Sequence, residues 1–491
     1  MVMRVGGIVS GMDIEGMVSK LMAAERMPLE RLQQEQKSLE WKRDSFRDIN
    51  SHLLDLDKMM LDMKLTTTYK PKQVTSSMEN AVTATASSSA SNGNYNIDVQ
   101  ELATSEMQVG AKGIEADFRI DVNNAKEHTF YTYDDKGAPQ EHKFTVKEGD
   151  SLKDVLKNIT NSSNGNVRAF YDESADRVVL ETTRTGKYNE DGNEITFGED
   201  SQDFFGKTLS LTGEGLDVKA ATNAKFTYND GLEIESRSNE YTINGLQLSF
   251  HNVTNGNARL SVNTDVDDSV DKIMNFIDKY NETIDKMNGS QLEERHRDFP
   301  PLTEEQREEM TEDQIKRWEE KAKSGLLRGE ATIRDGMYTL RQSMQQTVST
   351  DGAFNHISQV GITTTKNYLD GGRLEVNEEK LRAALRDNPD DVFKLFSNDD
   401  KGEARGLINR FDDALDRTRA SIERKAGKST ATLDNYSIGK EIKHLNDRIS
   451  IFETRMEKVE QRYWNQFTAM EKAISDLEQQ SSQLFSQFGD M

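Results

Sequence analysis

The chain has 491 residues, room for about three or four ordinary domains, yet its hydrophobic fraction of 34% is low for one large core. Lys and Arg number 63 against 86 Asp and Glu, and the cations are scattered over a chain of net charge −23, which argues against a nucleic-acid partner. The absence of cysteine excludes disulfides, thiol catalysis and cysteine metal sites; no apolar run reaches the ~18 residues of a membrane span, and residues 1–10 lack a signal-peptide core.

Ser10 or Asp13 can cap a first helix with Ile14, Met17, Val18, Leu21 and Met22 on its apolar positions. Pro28 then sits where a second helix is expected to start, running over 29–65. Leu32, Leu39, Phe46, Leu53 and Met60 stand seven apart there, with Ile49, Leu56 and Met63 at the second seam position. Glu35 and Lys42 weaken the first half of that seam. From Thr66 to Gly93 the helical period vanishes, and Tyr95, Ile97 and Val99 alternate as in a strand.

Residues 110–264 read as short strands and turns, punctuated by Asn164-Gly165, Asp191-Gly192, Asp230-Gly231, Asn244-Gly245 and Asn255-Gly256. Phe130–Tyr133 and Lys143–Val146 are expected to pair across Asp134–Gly137, Ser151 to cap a short helix, and Val167–Tyr171 to pair with Val178–Glu181. A similar pattern returns over 224–234 and 241–250. At Val266 a helical stripe resumes with Val270, Ile273, Ile277, Tyr280, Ile284 and Met287 behind Asp267-Asp268. Thr303-Glu-Glu-Gln starts a capped helix, Met337 to Val348 line another, and Asn377 and Asn388-Pro389 open two more. A helix over 404–424 is joined by Gly427–Gly439 to the last segment.

That segment carries Ile438, Ile442, Leu445, Ile449, Phe452, Met456, Val459, Tyr463, Phe467, Met470, Ile474 and Leu477, then Leu484 and Phe488. The steps alternate four and three with one stutter between Tyr463 and Phe467, a heptad seam along a helix of about 50 residues. So narrow a stripe needs a partner. Such stripes are also the ordinary core of a helical bundle within one subunit, so residues 43–63 are assigned equally to either use, and 455–488 first to the stem. The order of elements predicts an α+β multidomain protein: a terminal coiled-coil stem (1–42 and 440–491), a helical-bundle domain (43–109 and 265–439), and two inserted β-rich modules (110–215 and 216–264).

Val9-Ser-Gly-Met-Asp13, Leu21-Met22, Pro28-Leu29, Leu39-Glu-Trp41 and Arg43-Asp44 resemble the N-terminal signature of the flagellar hook-associated protein 2 family, the filament cap proteins. Asn166–Asp172, Leu180–Thr183 and Gly186 are similar to the flagellin-type inserted motif. Asn223–Thr227, Ser236–Asn239, Gly245–Phe250, Asp298–Thr303, Gly361–Thr363, Gly372–Leu374 and Leu395-Phe396 match further positions of that family. The resemblance implies a secreted protein at the distal filament tip; with no nucleophile motif and no phosphate-cradling glycine loop in the sequence, neither an enzyme nor a cofactor is expected. It implies a homo-oligomeric ring of about five subunits that retains flagellin and promotes its polymerisation. Hook-filament junction proteins, the flagellar type III export apparatus and an export chaperone are its implied partners. Export without a cleaved signal fits the missing cysteine, since a chain that refolds outside the cell is safer without a free thiol.

Candidate sites are few. The histidines are dispersed, and His128 with His142 reads as a surface pair on one hairpin, without the further ligands of a metal site. Asn189–Asn193 has the look of a calcium loop but lacks its twelfth-position Glu, so a turn is expected. The acidic run Glu304–Glu320 fits a docking face or a solvated helix. Function is therefore placed on the seam, Ile449 to Phe488, as assembly contacts, with Gln479, Gln480, Gln483 and Gln487 beside it serving lateral contacts or solubility alone. The alternative is a surface adhesin or carbohydrate-binding protein using the β-modules, which exposed aromatic platforms would favour. A plain filament subunit is disfavoured by the helical segment 266–424.

Overall fold

The computed structural model describes residues 13–114 and 118–488. In chain order, α1 (Ile14–Lys58), α2 (Met60–Lys64) and α3 (Thr66–Tyr69) lead into β1 (Lys72–Ser76), β2 (Val82–Ala86), β3 (Gly93–Glu101) and β4 (Met107–Val109). Then come β5 (Glu127–Tyr133), β6 (Pro139–Thr145), α4 (Leu152–Ser162), β7 (Val167–Asp172), β8 (Arg177–Thr182), β9 (Thr196–Phe197) and β10 (Asp217–Lys219). Five strands follow: β11 (Ala224–Tyr228), β12 (Leu232–Ser236), β13 (Glu240–Ile243), β14 (Leu246–Phe250) and β15 (Ala258–Thr264). The chain returns to helix with α5 (Val266–Leu292), α6 (Glu304–Glu308), α7 (Glu312–Lys323) and α8 (Ala331–Gln345). The hairpin β16 (Ile362–Thr364) and β17 (Leu374–Val376) precedes α9 (Glu378–Asp387), α10 (Pro389–Ser397), α11 (Leu407–Ala426) and α12 (Ser437–Phe488). The protein is α+β, in two compact units: residues 1–69 with 267–491, and Lys70–Val266.

The β unit is an insertion whose two ends pair side by side, β1 antiparallel to β15 with Val74 opposite Val262. The sequence places 70–109 with the helices, but β1, β2 and β3 are hydrogen-bonded to β15, β14 and β11, so that stretch lies in the β unit. Thr- and Ser-rich strands with alternation too weak to read hide β1 and β2. One core gathers Val82, Ile97, Phe226, Leu248, Leu260 and their neighbours, so the segment expected to stand alone at 216–264 shares its core with residues 74–103 before it. A second core holds Phe130, Phe144, Val155, Ile159, Leu180, Phe204 and Phe205. Here the expected hairpins form: β5 pairs β6 with Phe130 opposite His142, β7 pairs β8, and Ser151 closes a capping box on α4 with Asp154.

His128 and His142 correct the surface-pair expectation, because both are buried in this second core. The His128 ring stacks on Phe204 at 3.7 Å, and its Nε2 meets the Asn124 carbonyl at 3.0 Å. His142 is bonded to Thr132 Oγ1 and the Ser162 carbonyl. Burial pushes both imidazoles below their ordinary range, so they are neutral packing side chains. Asn189–Asn193 is the expected turn, closed by the Asn189 amide on the Asn193 carbonyl at 2.7 Å.

The helical unit buries the stripe predicted on α5, with Phe276 and Tyr280 meeting Phe411 of α11. Thr303 caps α6 through a box with Gln306, and Asn377 caps α9, as expected. Met60, Met63 and Tyr69 are buried here, with the Tyr69 hydroxyl donating to the Met63 carbonyl.

Candidate assembly surface

The two long helices α1 and α12 run antiparallel, which two contacts fix. The Arg47 guanidinium lies 5.5 Å from the Tyr436 ring centre, and the Tyr463 hydroxyl reaches Glu25 Oε1 at 3.2 Å, so rising numbers on one helix meet falling numbers on the other. Asp13 starts α1 by accepting from the Gly16 N–H at 2.8 Å; Ser10 lies outside the described residues.

Pro28 does not divide α1 as the sequence suggests. It lies inside one helix of 45 residues, about 68 Å long. A proline there forfeits one helical hydrogen bond, a cost near 3 kcal/mol. Packing on both sides of it, Ile14, Val18 and Met22 against α12 and Phe46 to Leu56 in the helical core, offsets that cost.

At the junction with α11, Arg47 donates to the carbonyls of Ala426, Gly427 and Lys428. Gly427 takes a left-handed φ of 69° with Tyr436 packed over it, leaving no room for a side chain. Beside this joint Lys42 and Lys425 both bind Glu330 at 2.5 Å. Burial alone would raise the Glu330 carboxyl, but the two ammoniums hold it below the usual carboxylate range.

Along α12 the seam divides. Ile438, Ile442, Leu445 and Ile449 are buried, Met456 is 6% exposed and Val459 7%. Met456 and Val459 form one cluster with Ile14, Val18 and Met22, and Phe452, Tyr463, Trp464 and Phe467 pack against it. Met470 is 38% exposed, Ile474 half-buried and Leu477 64% exposed. The side chains of Leu484, Phe488 and Gln487 lie outside the described residues, and Gln479, Gln480 and Gln483 are exposed. The stretch facing 456–467 is the start of α1, Ile14 to Met22, which the sequence reads as a first helix separate from the 29–65 seam.

Among the described residues, no three or more His, Asp and Glu side chains come together to hold a metal, and no helix is long and apolar enough to cross a membrane. In the β unit Phe130, Phe204, Phe205 and Phe250 are buried, Tyr131, Tyr133 and Tyr171 half-buried, and Phe170 is exposed on β7.

This fold is that of a flagellar cap protein. The D1–D2–D3 domains of the Escherichia coli flagellar cap protein match it with a TM-score of 0.59 at 21% identity, over 82% of this chain and 99% of that one. The family model for the flagellar hook-associated protein 2 C-terminus matches residues 221–479, and that for its N-terminus residues 10–106. The flagellar hook-associated protein 2 of Halalkalibacterium halodurans is 34% identical over 98% of this chain and 99% of its own length. An A-type flagellar hook-associated protein 2 of Pseudomonas aeruginosa is 26% identical, over 98% and 96%. The chain belongs to the flagellar hook-associated protein 2 family.

Proposed function

We propose that the protein caps the distal end of the flagellar filament, assembling with copies of itself into a ring that retains exported flagellin and promotes its polymerisation. The observation that carries the reading is the seam of α12. It stays apolar through Leu477 after α1, its cover within the chain, has ended among the described residues. A stripe that continues past its own cover suits contacts with other chains, which narrows the proposed assembly seam from Ile449–Phe488 to Met470–Phe488, Ile449 to Phe467 being covered within the chain. The β unit, entered and left through the paired strands β1 and β15, is free to differ in size without disturbing the helices. Flagellin, the hook-filament junction proteins and the export apparatus with its chaperone are the partners this role requires, and the secreted filament tip its place.

Deletion of the gene tests this. The mutant is expected to release unpolymerised flagellin into the medium and to regain filaments when the full chain is supplied. Filaments of normal length in the mutant overturn the cap role.

A further inference from the structure

On a chain of net charge −23, two surfaces of the helical unit each carry several side chains of one sign without an ionic partner, acidic on one and basic on the other. The first is a groove of about 1020 Å³ between α1, α6 and α12. Leu29, Leu302 and Met456 contribute apolar surface to it, and eight glutamates line it against Arg26, Lys37 and Arg307. Glu304, Glu308, Glu453, Glu457 and Glu460 have no hydrogen-bonded or ionic partner among the described residues. Eight glutamates against three cations leave the groove with an excess of negative charge, whose mutual repulsion a cationic partner would relieve.

The second surface is the outer side of α8 and α11. Arg410, Arg417 and Arg424 stand seven apart on α11 and so share one face. None has a carboxylate partner. Arg410 is held by the carbonyls of Thr347 and Glu403, and Arg424 by Ser421 Oγ and the Ala420 carbonyl, while the Arg417 guanidinium has no partner among the described residues. Asp335, Thr339 and Gln342 of α8 and Glu403 and Asp413 line the same surface with them, and Tyr338, one turn from Asp335 and Gln342 on α8, is 64% exposed. Exposed Tyr with Arg is the composition of an interface hot spot, and Tyr also suits an acid-rimmed groove with apolar walls.

We infer that these two surfaces bind each other between copies: the Arg417–Arg424 face of one chain docks into the acidic groove of the next. The occupant is a second copy because this same chain carries the complementary charge. Two different patches make a head-to-tail contact, which repeats and closes into a ring when its rotation allows. The inference rests on the assembly reading above and names surfaces other than the α12 seam.

The test is a charge exchange in the full-length protein, with self-association followed by sedimentation velocity over protein and salt concentration, and folding checked by circular dichroism. Arg417→Glu with Arg424→Glu, and separately Glu457→Lys with Glu460→Lys, are each expected to weaken self-association about tenfold or more while keeping the wild-type melt. Mixed in equal amounts, the two variants should associate again, because each presents the charge the other now needs. Wild-type association should also fall as salt rises. Folded variants that associate like wild type, a mixture that does not recover, or a wild type that stays monomeric throughout overturns the contact. Filament growth separates this from the cap role: if the variants restore filaments to the deletion mutant as wild type does, the cap reading stands and this contact fails.

Discussion

The terminal helix α12 contains two stretches with one pattern and two fates. From Ile438 to Phe467 the seam is buried or half-buried against α1 and its surroundings; from Met470 to Leu477 the same spacing leaves Met470 and Leu477 exposed. Heptad spacing fixes which face of a helix is apolar. How much of that face is buried depends on where the partner helix starts, and α1 starts at the Asp13 cap. One helix therefore serves as intramolecular core along one part and as open surface along the next.

The sharpest way to break this comparison is to place a charge in the covered stretch. Val459→Asp removes an apolar side chain packed with Ile14, Val18 and Met22 and buries a carboxylate without a partner. The expected loss is about 2–4 kcal/mol of local stability. Hydrogen exchange should show α12 beyond about residue 450 and the first turns of α1 unprotected, with α5 and α11 unchanged. Unchanged protection at Val18 and Met456 would mean the stem is not held by this cluster.

A smaller effect sits where the stem joins the helical core. Glu330, held by Lys42 and Lys425, has a folded-state pKa below its unfolded value. It therefore contributes stability above the unfolded pKa, about 4.3, and that contribution disappears as pH falls through the lower folded value. Glu330→Gln should lower stability by about 1–3 kcal/mol at pH 7. The melting temperatures of variant and wild type should converge toward pH 3. A constant gap from pH 7 to 3 would remove the ion triad from the account.

Much of this was legible in the sequence because it depends on local signals. The stripes of α5 and α12, the Ser151 and Thr303 boxes and the β5–β6 turn each lie within a few residues of one another. What escaped depends on distant partners. Pro28 reads as a helix start because the packing that carries α1 through it comes from residues more than 400 positions away. Strands β1 and β2 carry little alternation and are fixed by β15 and β14. Glu106 has no place in the sequence reading, yet it is buried and accepts from the N–H groups of Glu194 and Ile195, which nothing near it in sequence announces. The histidines were misplaced for the same reason: Phe204, on which His128 stacks, lies far down the chain.

The smallest stability effect carries the most about assembly. Ile474→Asp falls beyond Phe467, where the cover by α1 ends among the described residues, so the isolated chain should change by no more than about 0.5 kcal/mol. Lys472→Asp, exposed on the same helix, is the control for added negative charge. If the outer seam is an assembly contact, Ile474→Asp should lower oligomer mass and filament growth while Lys472→Asp leaves both near wild type. This loss should persist at high salt, because the contact removed is apolar; the loss from reversing Arg417 and Arg424 reflects a salt-sensitive attraction. A large fall in melting temperature for Ile474→Asp would instead assign the outer seam to the subunit's own core. Assembly equal to that of Lys472→Asp would remove the outer seam from the proposed assembly contacts and leave only the charged surfaces among them.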